Sequence, residues 1–146
     1  MTPLVVLACG AKKRPWAQAA LELYTGPLFA SARRWALSIT SRDRIFILSA
    51  RHGLVPADRV LEPYDQQIKP TRETVDRIVD QADALGLFAG PVYFAGGELY
   101  RLTLILAGLE VQAVSHVLPP GRTTRGIGAQ RAWFSRNLGQ LPAVHS

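Results

Sequence analysis

The sequence predicts a single-domain α/β fold, a three-layer sandwich whose central sheet of about four strands is mostly parallel. Short apolar runs alternate along the chain with amphipathic stretches of helical periodicity, which is typical of parallel strands joined by helical crossovers. The length of 146 residues suits one domain, and 48% hydrophobic with 19% charged residues is the composition of a folded globule. We therefore expect one domain over residues 1–140 and a frayed tail over 141–146.

The first strand is expected at Leu4–Ala8, an apolar run rich in β-branched residues that suits a central strand covered on both faces. Cys9 ends this run, and a glycine turn and three cations follow it. Backbone N–H groups of such a turn can face an anion, so the segment favours a phosphate site. It is not a P-loop, because the Gly-Lys-Ser/Thr pattern is absent. The three cations are Lys12, Lys13 and Arg14.

Residues 15–40 are expected to be mostly helical, with a break at Thr25-Gly26-Pro27. Thr25 is the predicted N-cap of the second helix, and Pro27 lies in its first turn. Apolar residues then recur at spacings of three and four, which marks a face that packs on the core. These residues are Leu28, Phe29, Ala32, Trp35, Ala36 and Ile39.

The second strand, at Ile45–Leu48, leads into a group of polar residues that a core does not need. Ser49, Arg51 and His52 follow at once, Gly53 permits a reversal of the backbone, and Tyr64 and Asp65 lie in a turn bounded by prolines. Ligands of open α/β sheets bind beyond the carboxyl ends of the strands, so this segment is a candidate site. The alternative is a solvated loop in which the histidine and the aspartate cap neighbouring backbone.

The second half of the chain repeats the alternation. A helix is expected from Thr71 to about Leu85, a third strand at Val92–Ala95, a helix at Leu99–Leu106 and a fourth strand at Val111–Val114. A closing helix is expected over about 128–138.

The loop after the third strand is a second candidate site. Gly96 and Gly97 would let a ligand approach a helix N-terminus, whose dipole favours anions. Glu98 is either part of that site or an ordinary acid of the first helical turn. Ser115 and His116 follow the fourth strand, and a surface role is favoured for this histidine.

Charge and composition narrow the function classes. The chain has 17 Lys and Arg against 11 Asp and Glu, a net charge of +6 and a pI near 10.1, which favours a nucleic acid or nucleotide partner. No carboxylate follows Glu110, whereas four arginines do: Arg122, Arg125, Arg131 and Arg136. The sequence indicates no obligate protein partner.

Several classes are disfavoured. One cysteine excludes an intrachain disulfide, and the lack of a leader or an apolar run of about 20 residues favours a cytoplasmic protein without a membrane span. One Cys and three His without paired spacing do not make a metal site, and no G-x-S-x-G motif of a serine hydrolase is present. No cofactor is expected.

The most economical catalytic set is Asp65 with His52, beside a cationic, glycine-rich pocket. A carboxylate can stabilise an oxocarbenium-like sugar while it orients water, and an imidazole can assist the leaving base. Cys9 is either a nucleophile or a small residue at a strand end. Substrate phosphates would bind Lys12, Arg51 or Arg125, and Ser49 is a further candidate ligand. A base could stack on a tyrosine, namely Tyr24, Tyr64 or Tyr100.

The ordered motifs LACGAKK, ELYTGPLF, ILSARHGLV, EPYD and FAGGELY resemble a family of small, largely uncharacterised bacterial and phage proteins. Its signature is Cys-Ser-x-x-Lys, Glu-Leu-Tyr, Leu-Ser-Ala-Lys-His-Gly-Leu and Pro-Tyr-Asp. The motifs also resemble, more distantly, the YaaA peroxide-stress proteins, the base-handling domain of archaeosine synthase and folds of the uracil-DNA-glycosylase type. Gly10 and Arg51 replace the serine and the lysine of the signature.

The resemblance implies three functions. The first is an enzyme acting on a nucleobase N-glycosidic bond, a DNA-glycosylase-like hydrolase of a modified or damaged base, with a role in repair or phage defence. The second is a non-catalytic DNA-binding stress protein of the YaaA type. The third is a transferase acting on a deazaguanine-type base, with Lys12 or Cys9 in the covalent step. The motif positions carried over are Cys9, Lys12, Tyr24, Ser49, His52, Gly53, Tyr64, Asp65, Gly96 and Gly97.

Overall fold

A computed structural model of the chain describes residues 2–113 and 127–142. These residues form a five-stranded mixed sheet, a two-stranded antiparallel ribbon and five α-helices. The α/β prediction is thus confirmed. The strands are β1 Leu4–Ala8, β2 Gln18–Ala19, β3 Ile45–Ser49, β4 Gly53–Pro56, β5 Val60–Leu61, β6 Val92–Ala95 and β7 Val111–Ala113. The helices are α1 Ala20–Leu23, α2 Pro27–Ile39, α3 Arg72–Ala84, α4 Glu98–Leu106 and α5 Ile127–Arg136.

The larger sheet has the order β4-β3-β1-β6-β7. Strands β3, β1, β6 and β7 run parallel, with Val5 opposite Ile45 on one side and Tyr93 on the other. These four strands were predicted at nearly the observed positions, because three of them contain continuous apolar runs and the short β7 has a single polar residue, Gln112. Their carboxyl ends therefore meet at one edge of the sheet.

The fifth strand, β4, was not predicted and makes the sheet mixed rather than parallel. It pairs antiparallel with β3 through a tight turn, with Ser49 opposite Gly53. Gly53 has φ of 73°, a conformation that favours glycine. Gln81 of α3 fixes the turn, since its amide accepts a hydrogen bond from the Leu54 N–H and donates one to the His52 carbonyl, both at 2.8 Å.

Two cores lie on opposite faces of this sheet. Residues of β1 alternate between them: Val5 and Leu7 pack with α1, α2 and α5, whereas Val6 and Ala8 pack with α3 and α4. Trp35 is the largest fully buried side chain of the first core. It contacts Trp133 and Phe134 of α5, with ring centroids 5.7 and 5.5 Å apart.

The segment before α2 departs from the prediction. Helix α1 covers only Ala20–Leu23, and the two residues before it pair with β5 as the ribbon. Thr25 is not the N-cap of α2. Gly26 occupies that position without any side-chain cap, and Pro27 begins the helix as expected. The stretch is limited to one helical turn because Pro15 and Pro27 lack a backbone N–H, and because threonine and glycine, at positions 25 and 26, lower helix stability.

The remaining helices follow the sequence closely. Thr71 caps α3 by accepting a hydrogen bond from the Thr74 N–H at 3.2 Å, as its position predicted. Helix α4 begins one residue earlier than expected, and α5 spans Ile127–Arg136. No helix in residues 2–113 or 127–142 is long and apolar enough to cross a membrane.

Candidate functional site

A cavity of about 440 Å³ lies at the carboxyl ends of β1 and β6. We call it the strand-end cavity. Its walls come from the turn after β1, the first turns of α2, the end of β6 and one side of α5, so four separate parts of the chain build it. The lining residues are Ala8, Cys9, Gly10, Ala11, Lys12, Gly26, Pro27, Leu28, Phe29, Ala32, Ala95, Gly96, Gly97, Gln130 and Phe134.

The strand-end cavity combines apolar walls with an electropositive mouth. Phe29 and Phe134 supply aromatic surface, and Lys12 is the one ammonium group among the described residues of the lining. Gly26 and Gly97 are the N-caps of α2 and α4, and neither helix has a side-chain cap. Since uncapped first-turn N–H groups and the helix dipole favour anions, the cavity suits a ligand with one apolar and one anionic part.

Gly96 keeps the cavity open by allowing the backbone to approach β1. A Cβ atom at this position would overlap the Cβ of Ala8 and lie 2.7 Å from Cζ of Phe94. At Gly97, in contrast, the nearest atom would be Cδ2 of Tyr100 at 4.0 Å. Gly96 is therefore required for steric reasons, whereas Gly97 serves only as the N-cap of α4.

A network of hydroxyl groups lies beneath the end of β3. The Ser49 hydroxyl donates a hydrogen bond to the Tyr64 oxygen at 2.7 Å, and the Tyr64 and Tyr24 oxygens are also 2.7 Å apart. Ser49 is fully buried, and its oxygen accepts a bond from the His52 N–H at 3.1 Å. The network thus ties the loop after β3 to the Tyr64 segment and to the end of α1. We refer to Ser49, Tyr24 and Tyr64 as the hydroxyl network.

Cys9 joins the strand-end cavity to the neighbouring tyrosines. It lines the cavity, and its thiol donates to the Tyr100 oxygen at 3.3 Å. Burial raises the pKa of Tyr24 to about 12, and it also raises the pKa values of Tyr64 and Tyr100. All three phenols therefore stay protonated near neutral pH, where they can donate hydrogen bonds but cannot act as bases.

The Tyr64 ring is contacted by a cation on one side and by an imidazole on the other. Nζ of Lys13 lies 4.5 Å from its centroid, a cation–π distance, and the His52 ring packs edge-on with centroids 5.6 Å apart. Desolvation lowers the pKa of His52, and the charges of three nearby arginines lower it further. The imidazole is therefore predominantly neutral at pH 7. The arginines are Arg51, Arg59 and Arg77.

Asp65 stands apart from this arrangement. Its side chain is exposed, and no hydrogen bond or ion pair joins it to His52 or to any other residue within 2–113 and 127–142. The catalytic pair predicted from the sequence is therefore not preassembled by direct contact. Both groups do flank Tyr64: Asp65 is its neighbour in the chain, and His52 packs against its ring.

Several predicted ligands are corrected or fall outside the described residues. Tyr24 is only 1% exposed and packs on Phe29 with ring centroids 5.0 Å apart, so the expectation that it stacks on a base is wrong. Glu98 is an exposed acid of the first turn of α4 that pairs with Arg101 at 3.1 Å, the ordinary alternative considered for it. Of the residues named in the sequence analysis, those that lie outside the described ranges include Val114, Ser115, His116, Arg122 and Arg125.

A second, smaller depression was missed by sequence reasoning. It has a volume of about 240 Å³ and lies between the end of β3 and the first turns of α3. Its cations, Lys69 and Arg77, come from a loop and from a helix with mixed charges, so no local cluster marked them. We call it the basic hollow. Its lining residues are Ala50, Gln66, Lys69, Thr71, Glu73, Thr74 and Arg77.

Comparison with known families gives one match. Residues 4–136 match the model of a family of unknown function, DUF6884. The chain belongs to the DUF6884 family. This agrees with the expectation of an uncharacterised family, whereas the more distant resemblances are not confirmed. Neither curated proteins nor solved structures give a match to this DUF6884 chain. In the part that the structure describes, no group of three or more His, Cys, Asp or Glu could hold a metal ion.

Proposed function

We propose that this DUF6884 protein is an enzyme that acts on the N-glycosidic bond of a nucleotide unit, most concretely a DNA-glycosylase-like hydrolase of a modified or damaged base. The observation that carries the proposal is the strand-end cavity. Its volume of about 440 Å³ lies within the range of about 300–1,000 Å³ that is common for small-molecule sites. Its apolar walls suit a base, and its electropositive mouth suits a phosphate.

The base enters the cavity between Phe29 and Phe134. A stacked base gains about 1 to 3 kcal/mol from an aromatic contact, which offsets the few kcal/mol needed to remove it from a duplex. Lys12 and the first-turn N–H groups of α2 and α4 hold the neighbouring phosphate. Apolar and anionic recognition together suit a nucleotide better than a simple sugar, which has neither an apolar ring system nor an anionic group.

His52 and Asp65 supply the chemistry in this proposal. The lowered pKa of His52 favours a neutral imidazole, which assists the departing base through a hydrogen bond rather than as a preformed cation. Asp65 is exposed and free of ion pairs in the described residues, so its carboxylate is available to stabilise a positively charged sugar and to orient water. Neither residue is among those that line the strand-end cavity, and the two are not in contact beforehand, so substrate binding has to bring both to the glycosidic bond.

The test is release of free base. Purified protein is incubated with DNA strands and nucleotides that carry normal, damaged and phage-type modified bases, and mass spectrometry detects the released base. We expect release from at least one modified substrate and a loss of at least about a hundredfold in Asp65→Asn, which corresponds to about 3 kcal/mol of transition-state stabilisation. Asp80→Asn on α3, another exposed acid, is the matched control and should retain full activity.

Two results would contradict the proposal. Base release that is equal in wild type and Asp65→Asn would remove the assigned role of the carboxylate. Tight DNA binding without any release would favour the non-catalytic DNA-binding protein instead. The transferase alternative predicts base exchange that requires the thiol or an amine, so full activity of Cys9→Ala would exclude its cysteine version.

A further inference from the structure

The basic hollow adjoins the loop after β3, and two further arginines lie close to His52 of that loop. Lys69 and Arg77 line the hollow, and Arg51 and Arg59 lie close enough to influence His52. All four side chains are exposed. None of the four forms an ion pair with any residue in the described ranges.

Arg77 is not neutralised by the carboxylates of its own helix. It follows Glu73 by one helical turn and precedes Asp80 by three residues, so two carboxylates are available on its own helix. Its guanidinium instead donates a hydrogen bond to the Arg51 carbonyl at 3.0 Å. The bond places one arginine of α3 beside the loop that carries another, and it leaves both positive charges without a counterion.

Like charges that lie together without a counterion repel one another, and an external anion relieves that repulsion. Three other arginines of the described residues do pair with carboxylates: Arg42 with Glu22 and Asp58, Arg72 with Asp76, and Arg101 with Glu98. The one carboxylate in the basic hollow is Glu73, against two cations in its lining. Positive charge is therefore in excess at the end of β3, next to His52.

From this arrangement we propose that the surface of Arg51, Arg59, Lys69 and Arg77 binds the sugar–phosphate backbone of a nucleic acid strand. The inference rests on the proposed function for the placement of the target base, and it adds the surface that holds the rest of the strand. A free nucleotide has its phosphate at the mouth of the strand-end cavity and does not need a second cationic surface. A strand has further phosphates, and these lie over the basic hollow.

The first experiment measures binding of a fluorescent 20-nucleotide DNA, single-stranded and duplex, as a function of salt. Replacing Lys69 and Arg77 by glutamine should lower the affinity for the better-bound form about tenfold and reduce the slope of log K against log salt by about 2, because each phosphate contact contributes about 1. The matched control replaces Arg34 and Arg136, two exposed arginines of α2 and α5 on the other side of the sheet. It should change the affinity less than twofold.

A conservative variant separates charge from loop structure. Arg77→Lys keeps the charge but loses the guanidinium that donates to the Arg51 carbonyl, so its affinity should stay within about threefold of wild type. A loss as large as that of Arg77→Gln would assign the effect to the loop and overturn the inference. Absence of DNA binding by the wild type, or equal losses in the two double variants, would overturn it as well.

The base-release assay distinguishes this inference from the function on which it rests. The Lys69 and Arg77 double variant should raise KM for an oligonucleotide about tenfold and leave KM for the mononucleotide unchanged. Selective loss of DNA affinity without base release from any substrate would support the binding surface and contradict the proposed enzyme. Release from oligonucleotide and mononucleotide that is equally insensitive to the double variant would support the enzyme and contradict the binding surface.

Discussion

The strand-end cavity and the basic hollow lie near the same edge of the sheet but differ in chemistry. The strand-end cavity is walled by buried apolar side chains on the face covered by α2 and α5. The basic hollow is lined mostly by polar or charged side chains, which come from the loop before α3 and from the first turns of α3. The first is shaped by core packing and suits a base, whereas the second is shaped by exposed charge and suits phosphates. Variants that affect one and spare the other test this division.

The largest effect is expected from filling the strand-end cavity. Ala32→Leu places a larger side chain in its wall, and Ala32 is 4% exposed. Base release should fall at least about a hundredfold, while the free energy of unfolding changes by less than about 1.5 kcal/mol because the new atoms occupy existing space. Ala30→Leu, on the same helix but outside this cavity, is the control. Unchanged base release in Ala32→Leu would place the base elsewhere.

The next effect concerns the glycine that shapes the cavity. Gly96→Ala should destabilise the protein by about 3 kcal/mol, because its Cβ meets Ala8 and Phe94 within the core. Gly97→Ala has no such contact and should cost less than about 1 kcal/mol. Urea unfolding of the two variants measures the difference. Equal destabilisation would mean that the close approach of β6 to β1 does not depend on glycine.

A smaller loss is expected in the hydroxyl network, which adjoins both regions. Tyr64→Phe removes the oxygen that binds Ser49 and Tyr24, and two buried hydroxyls lose a partner, at a cost of about 1 to 2 kcal/mol. Tyr93→Phe is the control, because this half-buried tyrosine belongs to β6 and lies outside the network. Urea unfolding again provides the measurement, and equal values for the two variants would show that the network contributes nothing to stability.

The smallest effect is a pH dependence of stability that comes from His52, beside the basic hollow. Burial and the charges of Arg51, Arg59 and Arg77 lower the pKa of His52 below its ordinary value of 6.5. The unfolded chain then binds the proton more readily than the folded one, so this contribution to stability is present above pH 6.5 and is lost as pH falls through the folded pKa. His52→Gln should flatten the decline of the urea midpoint between pH 7.5 and 5. An unchanged decline would assign it to other groups.

The sequence predicted features that depend on neighbouring residues better than features that depend on contacts between distant parts of the chain. The four parallel strands, α3 with its Thr71 cap and α2 from Pro27 were predicted, because each depends on neighbouring residues alone. Strand β4 was missed, since its apolar run is short and a side chain of α3, Gln81, fixes its turn. The cap assigned to Thr25 was wrong for a related reason: the Thr25 N–H is bonded to the carbonyl of Lys12, thirteen residues away, and Gly26 takes the cap position.

The sequence by itself determined the class of the fold, the edge of the sheet where the candidate site residues lie and the basic character of the chain, because periodicity, strand ends and net charge are local or additive properties. Only the tertiary structure decided which of those groups meet. It buried Tyr24, joined Ser49 to Tyr64, set Phe29 and Phe134 around one cavity and left Asp65 apart from His52. Such contacts join residues far apart in the chain, and they depend on how helices pack across the sheet, which no local pattern encodes.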